Sequence, residues 1–163
     1  MSAPSVGDAA DKGERATRGA ARQGQPHARD LMSTPVHTVG PNDSIWDAWH
    51  LLSSAHVRHL VVIDHRSTVL GVVDDRGILN AWPNTPAAAQ RTQVRALFGR
   101  RRVRTVTEAA TVRTVARAVL ANDADAVAVV SSTGKVVGLV TATDLVSHLA
   151  QPANRNRAAT RPT

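Results

Sequence analysis

An internal repeat with a spacing of 67 residues is the feature that most limits what this chain can fold into. Residues 36–39 (VHTV) align with residues 103–106 (VRTV), and residues 69–73 (VLGVV) align with residues 136–140 (VVGLV). The alignment needs no gap between its first and last strands. Repetition at one fixed spacing is typical of a chain that builds the same structural unit twice. Because 163 residues amount to about one domain, the two units are expected to share one folded body.

Each copy has the pattern of a strand, a helix, two strands joined by a turn, and a second helix. In the first copy, Asn42 and Asp43 precede residues 44–55, where apolar side chains recur at helical spacing. Apolar, β-branched runs at 59–63 and 69–73, and again at 126–130 and 136–140, are separated by short polar segments typical of hairpins. Residues 83–86 (PNTP) break the chain between the copies, and residues 91–98 are expected to form a lead-in helix matching residues 29–32. The sequence therefore predicts an α/β fold with the order β-α-β-β-α, twice.

The two ends of the chain differ in composition from its centre. Residues 1–28 and 151–163 are rich in Ala, Gly, Pro, Ser and Arg and lack an apolar period, so we expect disordered basic tails there. Residues 29–92 are assigned to the first repeat with its linker, and residues 93–150 to the second repeat. The formal net charge is +7, but residues 30–149 are nearly neutral, with 12 basic and 10 acidic side chains.

Several kinds of protein are excluded or disfavoured by what the sequence lacks. With no Cys, the chain cannot form disulfides, thiolate metal sites or a Cys nucleophile. No apolar run reaches the roughly 20 residues of a membrane span, and the N-terminal region has no apolar stretch suited to a signal peptide. A cytoplasmic protein without membrane contact is expected.

Three motifs, in this order, carry a resemblance to a known family: residues 30–41 (DLMSTPVHTVGP), 58–64 (RHLVVID) and 138–145 (GLVTATDL). Together they resemble paired cystathionine-β-synthase (CBS) domains, the Bateman module. The resemblance implies an α/β fold in which two pseudo-symmetric β-α-β-β-α CBS repeats pack as one Bateman module, which is usually a dimer. It also implies a regulatory, non-catalytic protein that binds AMP, ADP, ATP or S-adenosylmethionine between its repeats and signals to an effector protein not yet identified.

The resemblance assigns one inter-repeat cleft, here called the Thr141 cleft, to an adenosyl ligand. It makes Asp144 the acceptor for the ribose hydroxyls and Thr141, with Thr143, a phosphate ligand at a helix start. It completes the cleft from the first repeat with Val36 and His37 beside the base and with Arg58 and His59 near the phosphates. Thr141 and Asp144 also have the spacing of a capping box, which needs no ligand, and Arg58 and His59 could be an idle exposed pair.

The equivalent cleft, here called the Asp74 cleft, departs from the family pattern. Its positions carry Asp74, Arg76 and Gly77, and the second repeat contributes Val103, Arg104, Asp125 and Ala126. Gly77 cannot bind ribose hydroxyls, and a carboxylate 4 Å from a phosphate costs on the order of 4 kcal/mol at an effective dielectric of 20. We therefore expect this cleft to reject nucleotides, and the chain to bind one ligand.

Other functions receive weaker support. His50, His56 and His59 are close in sequence but are expected on different elements, so no metal site is predicted, and no catalytic motif appears. The charge of +7 and the basic run at residues 100–104 suggest nonspecific nucleic-acid binding, although one Phe, three Trp and no Tyr are too few for a stacking platform. A third possibility is a dimerisation module without a ligand. Trp46 and Trp49 are expected either to complete the core or to form a dimer contact.

Overall fold

The computed structural model describes residues 25–98 and 103–151, and within them each repeat forms one three-stranded sheet with its helices. The tails therefore lie largely outside the described residues, as do Arg100, Arg101 and Arg102. The strands are β1 (Thr38–Val39), β2 (His59–Ile63), β3 (Val69–Asp74), β4 (Thr105–Thr107), β5 (Ala126–Val130) and β6 (Val136–Thr141). The helices are α1 (Ala28–Leu31), α2 (Ile45–Ala55), α3 (Asp75–Asn80), α4 (Pro86–Arg91), α5 (Val112–Ala121) and α6 (Ala142–Ala150), with a 3-10 helix at Val94–Leu97.

Both sheets have the same topology, which confirms the predicted repeat. In each sheet the first strand runs parallel to the second, and the second pairs with the third as an antiparallel hairpin. Residues 59–63 and 126–130 form strands with the predicted bounds, because their apolar runs are buried in the sheets. The first strand of each copy is shorter than predicted, so Val36 and His37 precede β1 rather than belonging to it.

The two sheets face one another across a shared apolar core. Val61 and Val69 from the first sheet pack with Ala126, Ala128 and Leu139 from the second. Small and β-branched side chains let the sheets approach closely, and the other face of each sheet is covered by helices. The expectation that the repeats pack as one Bateman module is confirmed.

Each repeat is completed by the segment that leads into the other one. Ala28 is fully buried in the core of the second repeat, and its amide donates to Ala110 O at 2.8 Å. Val94, in the lead-in to the second repeat, is fully buried in the core of the first, and its amide donates to Asp43 O at 2.8 Å. Ala28, which its composition had assigned to the N-terminal tail, is therefore part of the core of the second repeat, because tertiary contacts bury a residue that has no local apolar period.

The linker contains a helix that the sequence pattern did not predict. Residues 83–86 were expected only to break the chain, and residues 91–98 to form one helix. Instead, α4 begins at Pro86, capped by the Thr85 side chain, which accepts a hydrogen bond from Ala88 N, and a separate 3-10 helix follows. Pro at the first helical position is favourable because its missing N–H would have no partner there.

The Trp residues contribute to the core of the first repeat. Trp46 and Trp49 are half-buried and pack against that core together with Trp82. Their ring centroids lie 5.9 and 6.0 Å from that of Trp82. This arrangement favours the core role over the dimer contact for the two α2 side chains. None of the described helices is long and apolar enough to cross a membrane.

Candidate functional site

The second-repeat side of the Thr141 cleft lies where β6 ends and α6 begins. Thr141 is the N-cap of α6, and its hydroxyl oxygen accepts a hydrogen bond from the Asp144 amide at 3.2 Å. In return, Asp144 Oδ2 accepts hydrogen bonds from the Thr141 amide at 2.8 Å and from the Thr141 hydroxyl at 2.7 Å. The capping box that the sequence allowed is therefore formed, and the predicted helix start is confirmed.

Capping occupies only one of the two carboxylate oxygens of Asp144. Both hydrogen bonds that it accepts reach Oδ2, and no group among the described residues donates to Oδ1. A carboxylate offers about four lone-pair sites, so capping leaves Asp144 able to accept further hydrogen bonds. Thr143 is exposed in the same first turn of α6. Capping and ligand binding by Asp144 are thus compatible.

The first-repeat side of the Thr141 cleft is the segment before β1. Ser33 pairs with Leu139 on β6 through two backbone hydrogen bonds, of 2.9 and 3.2 Å. Val36 packs against the shared core that includes Leu139, and His37 follows it with a half-buried side chain. The structure therefore brings this segment of the first repeat alongside the strand that leads to Thr141.

Met32 covers β6 next to this segment. Its side chain lies so close to the Gly138 backbone that any Cβ at position 138 would collide with it. At the equivalent position, Gly71 leaves 3.4 Å between a would-be Cβ and the Phe98 ring. Glycine is thus required on β6 by the close approach of Met32, and this flexible apolar side chain lies against the wall of the Thr141 cleft.

Arg58 and His59 are held by partners other than the Thr141 turn. The Arg58 guanidinium Nε donates to Asp75 Oδ2 at 3.1 Å, and no hydrogen bond joins Arg58 to Thr141, Thr143 or Asp144. His59 Nε2 lies 3.0 Å from the carbonyl oxygen of Ala124 in the second repeat. His59 therefore contacts the other repeat, whereas the Arg58 side chain is bound within its own.

The Asp74 cleft contains a three-residue charge cluster that links the repeats. Asp74 is the buried N-cap of α3, and its Oδ1 accepts from Gly77 N at 2.8 Å. Arg76 Nε donates to Asp74 Oδ2 at 3.2 Å, and Arg76 Nη2 donates to Asp125 Oδ2 at 3.0 Å. These contacts, first with Asp125 and then with Asp74, raise the pKa of Arg76. Arg76 therefore lies between the two carboxylates of this cleft.

A cavity of about 570 Å³ lies in the Asp74 cleft. One side is formed by β3 and the start of α3, and the other by the residues before β4 and the end of α5. Its wall combines apolar side chains, such as Leu70, Phe98 and Val103, with polar ones, such as Asn122 and Asp123. The cleft that the sequence predicted to reject nucleotides therefore has room for a small molecule, with both apolar and polar groups in its walls.

Asn122 is a cavity residue that sequence reasoning missed. Its Oδ1 accepts from Arg104 N at 3.0 Å, and its Nδ2 donates to Arg104 O at 3.1 Å and to Ala126 O at 2.9 Å. The side chain thus ties the entry to β4 to the entry to β5. Its position after the last turn of α5 was a weak signal, because Asn is common wherever a helix ends.

Residues 25–98 and 103–151 contain no group of three or more His, Asp or Glu side chains placed to hold a metal ion. His50 packs against the Trp46 ring, with centroids 4.9 Å apart, and His56 ends α2 in a left-handed conformation. The three histidines considered from the sequence therefore have separate surroundings.

Comparisons with known proteins agree with this architecture. A family model for the CBS domain matches residues 28–84 and again residues 94–151. Three similar solved structures are CBSX2 from Arabidopsis thaliana, CBSX2 in complex with AMP, and the CBS domain pair of protein MJ0100 with 5′-methylthioadenosine and S-adenosyl-L-methionine. No curated protein is similar enough to count as a match.

The three structures resemble this chain over nearly their full length. CBSX2 is 26% identical, with a TM-score of 0.64, over 77% of this chain and 95% of CBSX2. The AMP complex is 27% identical, with a TM-score of 0.60, over 76% of this chain and 96% of the chain in that complex. The MJ0100 pair is 27% identical, with a TM-score of 0.63, over 77% of this chain and 96% of the MJ0100 chain.

A paired-CBS-domain protein is defined by three findings: the two family matches, the two identical sheet topologies and the packing of the sheets. This chain belongs to the CBS domain family and carries two CBS domains that form one module. Such pairs are typically regulatory and have no catalytic activity of their own.

Proposed function

We propose that this chain is a regulatory module that binds one adenosine derivative in the Thr141 cleft and signals its occupancy to an effector protein. The candidate ligands are AMP, ADP, ATP and S-adenosylmethionine. One observation carries the proposal: Asp144 Oδ1, in the first turn of α6, accepts no hydrogen bond from the described residues. Two of the similar structures hold ligands of this class, AMP in one and methylthioadenosine with S-adenosylmethionine in the other.

Each residue of the cleft has a chemical role in this proposal. Asp144 Oδ1 accepts hydrogen bonds from the ribose hydroxyls while Oδ2 continues to cap α6. Thr143 presents its exposed hydroxyl at the positive end of α6, where phosphate oxygens are favoured, and Thr141 joins it by exchanging its hydroxyl bond to Asp144 Oδ2 for one to phosphate. Val36 and His37 border the base, and Arg58 and His59 supply positive charge or hydrogen-bond donors to the phosphates.

The Asp74 cleft has no carboxylate at the position equivalent to Asp144, although it contains a cavity of about 570 Å³. Gly77 replaces the carboxylate at the position equivalent to Asp144, and both oxygens of Asp74 are engaged, one by Gly77 N and one by Arg76. A ribose beside Gly77 would lose hydrogen bonds to water without gaining an acceptor at that position, and the other carboxylate in the cavity wall, Asp123, lies on the far side, after α5. Cleft volume alone therefore does not favour the Asp74 cleft for this ligand class.

We also propose that two copies of the chain associate as a homodimer. Large apolar side chains are exposed at equivalent positions of the two repeats, Leu79 on α3 and Val146 on α6, and Leu149 adds to the α6 surface. A face repeated by the internal symmetry suits an isologous contact with a second copy, in which the same surface serves both partners.

Calorimetric titration with adenosine, AMP, ADP, ATP, S-adenosylmethionine and a short DNA duplex tests the ligand proposal. We expect one adenosyl ligand per chain. Asp144→Ala removes charge-assisted hydrogen bonds worth roughly 1.5 to 3 kcal/mol each, so affinity should fall at least about a hundredfold.

Asp47→Ala is the matched control. At the start of α2, the Ser44 hydroxyl donates to Asp47 Oδ2 at 2.7 Å and accepts from the Asp47 amide at 3.0 Å, which are two of the three contacts between Thr141 and Asp144, in a turn that belongs to neither cleft. Both variants should lose about 1 kcal/mol of stability, but only Asp144→Ala should lose the ligand. Wild-type affinity in Asp144→Ala would contradict the assignment, and two ligands per chain would show that the Asp74 cleft also binds. Binding of the duplex alone would instead favour the nucleic-acid function, and no binding at all a dimerisation module.

A further inference from the structure

The Arg58–Asp75 ion pair lies at the entrance of α3, next to the boundary between the repeats. We infer that Asp75 is an internal competitor for phosphate: it holds the Arg58 guanidinium, and a phosphorylated ligand must replace it. This inference rests on the proposed function, because it concerns how the Thr141 cleft distinguishes nucleotides from nucleosides.

The contact is built into the backbone as well as the side chains. Arg58 Nε donates to Asp75 Oδ2 at 3.1 Å, and Asp75 N donates to Arg58 O at 3.1 Å. The Arg58 side chain is 69% exposed and that of Asp75 is 30% exposed. The main-chain bond keeps the two residues adjacent, so the guanidinium has a local anionic partner whenever no ligand is bound, yet remains accessible to one.

The internal symmetry shows where Arg58 could reach without Asp75. The residue equivalent to Arg58 in the second repeat is Asp125. The Asp125 carboxylate pairs across the boundary with Arg76, which lies in the first turn of α3. The equivalent of Arg76 is Thr143, in the first turn of α6. The same crossing by Arg58 would bring its guanidinium to Thr143, a proposed phosphate ligand.

Only the first repeat has a carboxylate that prevents this crossing. The residue equivalent to Asp75 is Ala142, which has no charge, and its amide makes the same main-chain bond, to Asp125 O at 2.9 Å. A carboxylate there would not bind Asp125, which is itself an anion and pairs across the boundary with the cation Arg76. Arg58 has the uncharged Thr143 at the equivalent place across the boundary, and among the described residues its ion-pair partner is Asp75.

Charge around the pair supports an exchange with phosphate. Arg76 faces Asp74 and Asp125 and is already shared between them, so it cannot neutralise Asp75 as well. Burial acts to raise the pKa of Asp75, but the hydrogen bond and charge of Arg58 outweigh it and keep that pKa below its ordinary value. Asp75 is thus ionised near neutral pH, when it both binds Arg58 and repels an incoming phosphate.

Asp75→Asn tests the inference, with Asp47→Asn as the control, since each removes one carboxylate from the first turn of a first-repeat helix. Calorimetric titration of the full chain with adenosine, AMP and ATP should give about three- to tenfold tighter binding of AMP and ATP to Asp75→Asn, as expected for loss of one partly exposed ion pair and one repulsion. Adenosine should bind within about twofold of wild type. Asp47→Asn should change none of the three.

The Arg58→Gln background shows whether Asp75 acts through Arg58. In that background, Asp75→Asn should no longer strengthen AMP binding. If AMP affinity still rises as much as it does with Arg58 present, the inference is overturned, because Asp75 would then act by general charge repulsion. Equal gains for adenosine and AMP would also overturn it. If wild type binds all three ligands but Asp75→Asn changes nothing, the inference alone fails. If neither wild type nor Asp75→Asn binds any of them, the proposed function fails and the inference fails with it.

Discussion

Two equivalent hairpin residues adopt the same left-handed backbone with different side chains. Ser67, between β2 and β3, has a φ of 62°, and Gly134, between β5 and β6, has a φ of 79°. The left-handed conformation is disfavoured by roughly 1–2 kcal/mol for a residue with a Cβ, but not for glycine. The first hairpin therefore carries a local cost that the second avoids.

Exchanging these turn residues should change stability in opposite directions. Ser67→Gly should raise the free energy of unfolding by about 0.5–1 kcal/mol, because relief of strain exceeds the extra chain entropy of glycine. Gly134→Ala should lower it by about 1 kcal/mol, although a Cβ there meets no atom within 4 Å. Urea denaturation measures both, and a neutral Gly134→Ala would show that backbone conformation is not the cause.

At the scale of elements, β3 and β6 have equivalent glycines with unequal neighbours. Beside Gly138 the Met32 side chain leaves no space for a Cβ, whereas beside Gly71 the Phe98 ring is at ordinary van der Waals distance. Met32 lies there because the lead-in segment of the first repeat pairs directly with β6 through Ser33. Packing of that segment, and not the strand itself, makes one glycine essential.

The two glycine-to-alanine variants should therefore differ in their effects. Gly138→Ala should cost about 1–3 kcal/mol because Met32 and its backbone must shift, while Gly71→Ala should cost less than about 1 kcal/mol. Thermal unfolding followed by circular dichroism compares them. Equal losses would mean that glycine is needed in both strands for a backbone reason.

At the scale of the whole molecule, the exchanged lead-in segments tie the two repeats together. Ala28 is part of the second core and Val94 part of the first, so neither repeat has a complete core without the other's segment. His59 and Arg76 add hydrogen bonds across the boundary. The module should consequently unfold as one unit.

The positions of the Trp residues allow a direct measurement of this cooperativity. All three lie in the first repeat, so Trp fluorescence reports on that repeat, whereas far-ultraviolet circular dichroism reports on both. The two signals should give coincident urea transitions. Separate midpoints would show that the repeats unfold independently despite the exchanged segments.

The proposed dimer also belongs to this scale. Val146 is 65% and Leu149 77% exposed on α6, so a single chain leaves apolar surface in water. Light scattering at micromolar concentration should give twice the mass of one chain, and Val146→Asp combined with Leu149→Asp should give a monomer that remains folded. A monomeric wild-type protein would contradict the proposal.

Most elements could be predicted from the sequence because their signals are local. The apolar runs at His59–Ile63 and Ala126–Val130, and the Thr141 and Asp144 spacing at the start of α6, depend on neighbours a few residues away. The helix at Pro86–Arg91 could have been found from Thr85 and Pro86, which mark a helix start. The burial of Ala28 could not, because its partners are about 80 residues later in the chain.

By itself the sequence determined the duplicated β-α-β-β-α order and the family, since period, turn residues and repeat spacing are encoded locally and occur twice. Only the tertiary structure decided how the charged residues pair: Arg58 with Asp75, and Arg76 between Asp74 and Asp125. It also decided that a cavity of about 570 Å³ lies in the Asp74 cleft and that Met32 covers Gly138 in the other. These outcomes depend on distances between residues far apart in the chain, and side-chain charge and volume select partners only after the two sheets have packed together.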